Sequence, residues 1–196
     1  IDLGINFLAT TYDSYGKTTF YNDRHIKAKR GHYKVLRKQL QECGSKSAKR
    51  RIKSIGSREN RYVNDINHTI TKALVDKYGA NTLFVLEDLT NVRTATEKVN
   101  INNRYVSVSW SFYQFKQLLE YKAQMNNSML IVVNPKYTSQ TCPKCGHTEK
   151  ANRDKKKHIF KCKNCNYQSN DDRIGAINLW RKGLEYIESN SKEHSE

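Results

Sequence analysis

The chain has 196 residues, of which 37% are hydrophobic and 28% charged, and its formal net charge is +16. This composition is too apolar for a disordered chain, and the length provides one fair-sized core or a core with a small satellite module. No apolar run approaches the length of a membrane span, and the first residues lack the pattern of a signal peptide, so we expect a soluble, cytoplasmic protein.

The beginning of the chain has the pattern of a β-hairpin. Apolar residues alternate with polar ones from Ile1 onward, which predicts a strand over residues 1–12 with Asp2 on the polar face. Turn-forming residues follow, and residues 17–21 are expected to return as a second strand.

Residues 24–78 show helical periodicity and contain most of the positive charge. The pattern predicts two helices separated at Gly44–Ser45, the second of which ends at Gly79. Fourteen Lys or Arg residues and two acids, Glu42 and Glu59, lie between residues 24 and 62.

This basic segment favours a polyanion, most commonly nucleic acid, as its partner. The alternatives are a solvated helix face or a surface for an acidic protein or lipid, but no amphipathic anchor is visible. The candidate nucleic-acid-binding residues are Lys27, Arg30, Lys34, Arg37, Lys38, Lys49, Arg50 and Arg51.

Two apolar runs further along predict strands buried on both faces. They cover residues 82–87, ending in Glu87, and residues 129–133. A helix is predicted between them from Trp110 to Met125, and residues 89–108 are predicted to form a surface loop. The order of hairpin, helices and strands indicates an α/β domain with a mixed sheet and helices packed on it.

Four of the five cysteines form two Cys-x-x-Cys pairs, Cys142/Cys145 and Cys162/Cys165, separated by sixteen residues. Two such turns supply the four thiolates of a closed, structural zinc site, which we predict within a zinc ribbon over residues 137–168. A redox pair or an iron–sulfur cluster is the alternative. The fifth cysteine, Cys43, stands alone in a basic helical stretch and shows no sign of activation.

Three acids on separate elements are candidates for one active site. Asp2 lies on the first strand, Glu87 ends a buried strand, and Asp172 lies in the first turn of a helix predicted from Asp171 to Ile187. The helix dipole alone explains acids at that helix start, so single acids prove nothing. If the three converge, two divalent ions with hard oxygen ligands, magnesium or manganese, are needed to neutralise their repulsion and can activate water at phosphorus.

Several segments resemble the transposon-encoded TnpB (OrfB) proteins, relatives of the type V CRISPR effector nucleases. They begin at Ile1 (IDLG), Leu86 (LEDL), Tyr137 (YTSQTCPKCG) and Asn170 (NDDRIGAINL), in the order of the family. The resemblance implies a RuvC-like nuclease of RNase H fold, with an inserted four-cysteine zinc ribbon, that cuts DNA guided by an RNA.

By this resemblance Asp2, Glu87 and Asp172 match the three RuvC acids, and Asp171 is the rival for the third place. The family also implies a longer N-terminal half that binds guide RNA, so that role is not expected of these residues alone. The implied division is a RuvC-like first part over residues 1–136, the ribbon over 137–168, a closing helix over 169–188 and a flexible tail over 189–196.

The leading interpretation is therefore the catalytic portion of a prokaryotic, metal-dependent DNA endonuclease with one structural zinc ion and two catalytic magnesium or manganese ions. Its expected partners are the DNA substrate and, in the full-length protein, a guide RNA, without a membrane. The alternatives are a non-catalytic nucleic-acid-binding zinc-ribbon protein and a transposase that joins strands, although no hydroxyl nucleophile for strand joining is evident.

Overall fold

The computed structural model describes residues 1–4, 7–22, 24–89 and 112–193. Most of the predicted surface loop and the start of the helix predicted from Trp110 lie outside these residues. The chain divides into two compact units, which we call the acid unit and the basic unit. The acid unit comprises residues 1–22, 80–89 and 123–196, and the basic unit comprises residues 23–79 and 90–122.

The acid unit begins with the predicted hairpin, in which strand β1 (Phe7–Tyr12) pairs antiparallel with β2 (Thr18–Asn22). The prediction of one continuous strand over residues 1–12 is wrong. The N–H groups of Asp2 and Thr10 each donate to the other residue's carbonyl at 2.8 Å, so the first residues pair back onto β1. The alternation of apolar and polar residues from Ile1 to Phe7 gives no sign of this reversal.

Strand β3 (Leu83–Glu87) pairs in parallel with β4 (Met129–Val133). The main-chain nitrogen of Ile1 donates to the carbonyl of Val85 at 2.7 Å, which joins the first residues of the chain to this pair. Among the described residues, the predicted mixed sheet is thus an antiparallel pair and a parallel pair with the segment of Asp2 between them.

A long helix, Asp171–Glu193, closes the acid unit by packing on β1, β3 and β4. It extends beyond the predicted end at Ile187. Its close approach to the sheet depends on Gly183, because a Cβ there would lie 2.5 Å from Cγ2 of Val85. We number this helix α4, after the helices of the basic unit.

The ribbon belongs to the acid unit and contains three short antiparallel strands, β5 (Arg153–Asp154), β6 (Ile159–Lys161) and β7 (Gln168–Asn170). A single 3-10 turn, Lys150–Asn152, precedes β5. Strand β7 leads directly into α4, so the ribbon is continuous with the helix that carries the third predicted acid.

The basic unit contains the predicted pair of helices, α1 (Arg24–Cys43) and α2 (Lys46–Tyr78), together with residues 112–122 of α3 (Phe112–Met125). The side chain of Ser45 caps α2 by accepting from the N–H of Ala48 at 3.1 Å. Gly79 ends α2 with a φ of 72°, as its position in the sequence predicts.

Amide side chains connect α2 with α3 inside the basic unit. Asn67 donates to Gln114 at 2.9 Å, and Gln114 donates to Asn64 at 2.8 Å. Asn67 is fully buried, and such buried amides require partners of this kind.

Within the described ranges, no helix has the length and apolar character needed to cross a membrane.

Candidate active site and metal centre

Asp2 and Glu87 lie side by side in the acid unit. The pairing of Asp2 with Thr10 fixes the first carboxyl group, and the N–H of Leu3 donates to Oε1 of Glu87 at 3.4 Å. Burial, followed by the charge of Glu87, raises the pKa of Asp2 well above its ordinary value. Burial likewise raises the pKa of Glu87. The two carboxyl groups interact closely enough to shift each other's pKa, and a shared proton or a cation would relieve the repulsion between them.

Asp172 adds a third carboxyl group from the first turn of α4. Asp172 is 8% exposed, and its Oδ2 atom is buried without a hydrogen-bond partner. Burial raises its pKa to about 6, and the charges of Asp171 and Asp2 contribute in the same direction. A buried carboxylate oxygen without a partner is costly, so this atom fits a bound cation.

Asp171 differs from its neighbour because it is fully buried and occupied by hydrogen bonds. Nε of Arg153 donates to Oδ2 at 2.8 Å, and the N–H of Asp172 donates to Oδ1 at 3.0 Å. Nδ1 of His158 lies 3.6 Å from the same Oδ1. The carboxylate of Asp171 thus already has an arginine partner, whereas Oδ2 of Asp172 has no hydrogen-bond partner.

Gly175 explains how α4 reaches the first acid. A Cβ at this position would lie 2.6 Å from Oδ2 of Asp2, closer than real contacts allow. Any side chain here would displace the Asp2 carboxylate, so Gly175 lets the helix approach the sheet closely.

The spacing of ligand atoms distinguishes two groups among the residues that the structure describes. Each group places one ligand atom per residue within 4.8 Å of all the others. One consists of the four cysteines, and the other of His158, Asp171 and Asp172. Asp2 shifts the pKa of both other predicted acids, Glu87 and Asp172, but the three do not form a group at this spacing.

The cysteine cluster can bind a metal ion such as zinc. Sγ of Cys142 lies 3.6 Å from that of Cys165, and the same distance separates Cys145 from Cys162. Tetrahedral zinc–thiolate bonds of about 2.3 Å place sulfur atoms roughly 3.8 Å apart, so the spacing fits.

The two cysteine turns have matching backbones. The N–H of Gly146 donates to the carbonyl of Cys142 at 2.9 Å, and the N–H of Asn166 donates to that of Cys162 at 3.0 Å. Both closing residues have positive φ, 74° for Gly146 and 55° for Asn166. The two turns therefore share the same backbone conformation at the residue that closes each of them.

Side chains of α4 attach the ribbon to the rest of the acid unit. The buried amide of Asn178 donates to the carbonyls of Thr138 at 2.6 Å and Thr141 at 2.8 Å, and Arg181 donates to that of Pro143. Ile174 packs in one buried cluster with ribbon residues Cys142, Cys162 and Phe160.

Sequence reasoning did not assign roles to Arg153, His158 or Asn178. The spacing of these residues in the sequence carries no signal, because they meet the acids or the ribbon through tertiary contacts. For Asn178, its place between the apolar residues Ile177 and Leu179 was the available hint.

The predicted nucleic-acid-binding residues fall into different environments in the basic unit. Arg30 is 1% exposed, and its Nε lies 3.8 Å from buried Glu59, to which Arg37 donates at 2.6 Å. These two arginines therefore hold α1 to α2, and Lys34 is half-buried. The exposed members are Lys38, Lys49, Arg50 and Arg51, and the side chain of Lys27 lies outside the described residues.

Comparison with known families gives two matches that together span most of the chain. Residues 1–97 match the OrfB_IS605 model, described as a probable transposase. Residues 112–179 match the Cas12f1-like TNB domain.

Three curated relatives illustrate the similarity. TnpB-like protein MJ0751 of Methanocaldococcus jannaschii is 34% identical over 147 residues, 74% of this chain and 51% of the relative. Cas12f1, a CRISPR-associated endodeoxyribonuclease of Sulfoacidibacillus thermotolerans, is 34% identical over 69% of this chain and 32% of its own length. The putative RNA-guided DNA endonuclease InsQ of Escherichia coli K12 is 28% identical over 93% of this chain and 48% of its own length. The chain thus spans about half or less of these relatives.

Solved structures share the fold. A Cas12f1–sgRNA–target DNA complex matches 90% of this chain and 47% of its own with a TM-score of 0.71 and 19% identity. A CRISPR–Cas12f ternary complex matches 91% of this chain and 37% of its own chain, with a TM-score of 0.70 and 22% identity. At these identities the likeness establishes a mixed α/β fold similar to that of Cas12f.

Proposed function

Because the chain belongs to the TnpB (OrfB) family, we propose that it is the nuclease portion of an RNA-guided DNA endonuclease. In this proposal residues 1–136 and 169–188 form a RuvC-like core of RNase H type, which residues 137–168 interrupt as a zinc ribbon. The reaction is hydrolysis of a DNA phosphodiester bond.

The observation that carries this proposal is that Oδ2 of Asp172 is buried without a hydrogen-bond partner. The carboxyl group of Asp2, which interacts with that of Glu87, is close enough to raise the pKa of Asp172. Three acids whose pKa values are all raised are unfavourable in an empty site. Divalent cations remove that cost, and the hard oxygen ligands suit magnesium or manganese.

Each acid has a distinct task in this mechanism. Asp2 and Glu87 would hold divalent cations from the sheet, and Asp172 would hold them from α4. The chemistry that such ions would supply is activation of the attacking water and stabilisation of the leaving oxygen. Arg153 positions the start of α4 through its hydrogen bond to Asp171. Gly175 keeps the helix close enough for the carboxyl groups to act on the same phosphate.

The cysteine cluster serves a separate, structural purpose. All four positions of a tetrahedral zinc ion would be filled by sulfur, which leaves no open position for substrate. Zinc binding would supply folding free energy to the short polar ribbon, which has a small apolar cluster of its own.

The nucleic-acid partners are DNA as substrate and a guide RNA. The exposed lysines and arginines of α1 and α2 support this part of the proposal through their charge. Phosphate contacts of this kind give affinity without sequence preference and weaken as salt concentration rises. Lys38 contributes less to this surface than its neighbours, because it lies 3.9 Å from the exposed acid Glu42.

Cleavage of labelled single-stranded DNA by the zinc-loaded chain tests the proposal. We expect cutting that requires magnesium or manganese and that falls by more than about a hundredfold in Asp2→Asn and Glu87→Gln. Lys144→Gln, an exposed ribbon residue away from the acids, is the matched control. Binding without cutting would favour the non-catalytic zinc-ribbon alternative, and equal cutting by both acid variants would refute the assigned site.

A further inference from the structure

The group formed by His158, Asp171 and Asp172 contains a histidine that the nuclease mechanism above does not use. His158 lies on the ribbon between β5 and β6, whereas both acids begin α4. One ligand atom from each residue lies within 4.8 Å of the other two. A nitrogen ligand thus meets the carboxyl group that the proposed nuclease site also requires.

We infer that His158, Asp171 and Asp172 form a cation position with an imidazole ligand, which favours manganese or a similar first-row transition ion over magnesium. The inference rests on the proposed function in so far as Asp172 belongs to both sites. It goes further by naming a nitrogen ligand and the metal preference that this ligand confers.

The contact between His158 and Asp171 is too long for a direct charge-assisted hydrogen bond. Nδ1 and Oδ1 are 3.6 Å apart, whereas such bonds measure about 2.7–2.9 Å. Two atoms bound to one ion at about 2.1 Å lie roughly 3.0 Å apart at octahedral and roughly 3.4 Å apart at tetrahedral angles. The observed 3.6 Å is close to the tetrahedral separation.

The oxygens of the two acids are used unequally. Oδ2 of Asp171 accepts from Arg153, whereas Oδ1 accepts only from the N–H of Asp172 among the hydrogen bonds described and is oriented near His158. Oδ1 of Asp172 lies 3.9 Å from the Arg153 guanidinium, and Oδ2 is buried without a partner. A cation would satisfy that oxygen while Arg153 keeps its hydrogen bond to Oδ2 of Asp171.

The ligand set determines the preferred metal. Magnesium is bound almost entirely by oxygen, whereas imidazole suits manganese and later first-row ions better. The side chain of His158 is 42% exposed, so the position is open to ions from solvent.

Electron spin echo spectroscopy on the zinc-loaded, 196-residue chain titrated with Mn²⁺ alone provides the direct test. We expect modulation from a directly bound imidazole nitrogen, which disappears in His158→Asn. Asparagine suits this position because the backbone there has a φ of 54°, a conformation that asparagine tolerates well. His147→Asn, which changes the other ribbon histidine, is the matched control and should retain the signal.

Titration calorimetry supplies the second measurement. Mn²⁺ affinity should fall at least about tenfold in His158→Asn, whereas Mg²⁺ affinity should change less than about twofold. Absence of nitrogen modulation in the parent chain, or its persistence in His158→Asn, would overturn the inference. If the chain shows nitrogen modulation but cuts no DNA, only the proposed nuclease function is refuted. If it cuts DNA with magnesium but shows no nitrogen modulation, only the His158 inference is refuted.

Discussion

Replacing Asp172 by asparagine should stabilise the metal-free protein while abolishing its proposed activity. Moving the pKa of this buried carboxyl group from 3.8 to about 6 indicates that its charge is disfavoured in the fold. At neutral pH the cost is on the order of 2–3 kcal/mol, since one pH unit corresponds to about 1.4 kcal/mol. The amide in Asp172→Asn has a similar shape and no charge, so this cost disappears.

The sign of the pH dependence follows from the direction of the shift. Between pH 3.8 and about 6 the folded carboxyl group binds more protons than the unfolded one, so stability falls as pH rises through this interval. The advantage of Asp172→Asn should therefore be largest above pH 6 and smaller at pH 5. In thermal denaturation at pH 7.5 we expect a rise of about 5 °C for a chain of this size.

Asp171→Asn is the matched comparison, because it changes the adjacent acid by the same chemistry. Asp171 is fully buried and accepts from Arg153, so loss of its charge should lower stability by about 2 kcal/mol. Millimolar Mn²⁺ should stabilise the parent chain but not Asp172→Asn, because binding to the folded state adds stability. If Asp172→Asn lowered metal-free stability as Asp171→Asn does, Asp172 would be an ordinary helix-terminus acid and the reasoning would fail.

Three further predictions concern packing, zinc and the basic unit. Gly175→Ala should reduce cleavage more than about tenfold with little loss of stability, and full activity of this variant would contradict the close approach of α4 to Asp2. Gly183→Ala should instead lower the free energy of unfolding by about 1–3 kcal/mol, because its added methyl group would overpack against Val85. Cys162→Ser should release the metal, measured by elemental analysis, and increase hydrogen exchange over residues 137–168; retained zinc would contradict the cluster. Glu59→Gln should destabilise the basic unit by about 3 kcal/mol because buried Arg30 loses its main acid, and an unchanged melting temperature would contradict this.

Local sequence signals predicted most elements because each depends on nearby residues. The break at Gly44–Ser45, the end of α2 at Gly79 and the positive φ of Gly146 all follow from the conformational freedom of glycine or from capping. The reversal between Asp2 and Thr10 was missed, because the alternation from Ile1 to Phe7 gives no sign of it. The last helix was placed correctly at its start but continues past Ile187.

The candidate site was predictable only in part, for a related reason. Acids at strand and helix ends can be found from the sequence, but the residues that support them come from distant segments. Arg153 reaches Asp171 across eighteen positions, and Gly183 meets Val85 only because α4 lies on β3. The burial of Arg30 was equally hidden, because a helical charge pattern does not show which face holds a buried acid such as Glu59.

The order of the elements gives the ribbon a consequence beyond holding a metal. It lies between the second and third acids in the sequence, and β7 passes directly into α4 at Asp171. Ile174, on the first turn of that helix, is buried in the same cluster as Cys142 and Cys162. The folding free energy that bound zinc would supply to the ribbon would therefore also fix the turn that carries Asp172. We expect loss of zinc to displace the third acid although no cysteine contacts it, so the cysteine and carboxylate sites are coupled through the helix rather than through shared ligands.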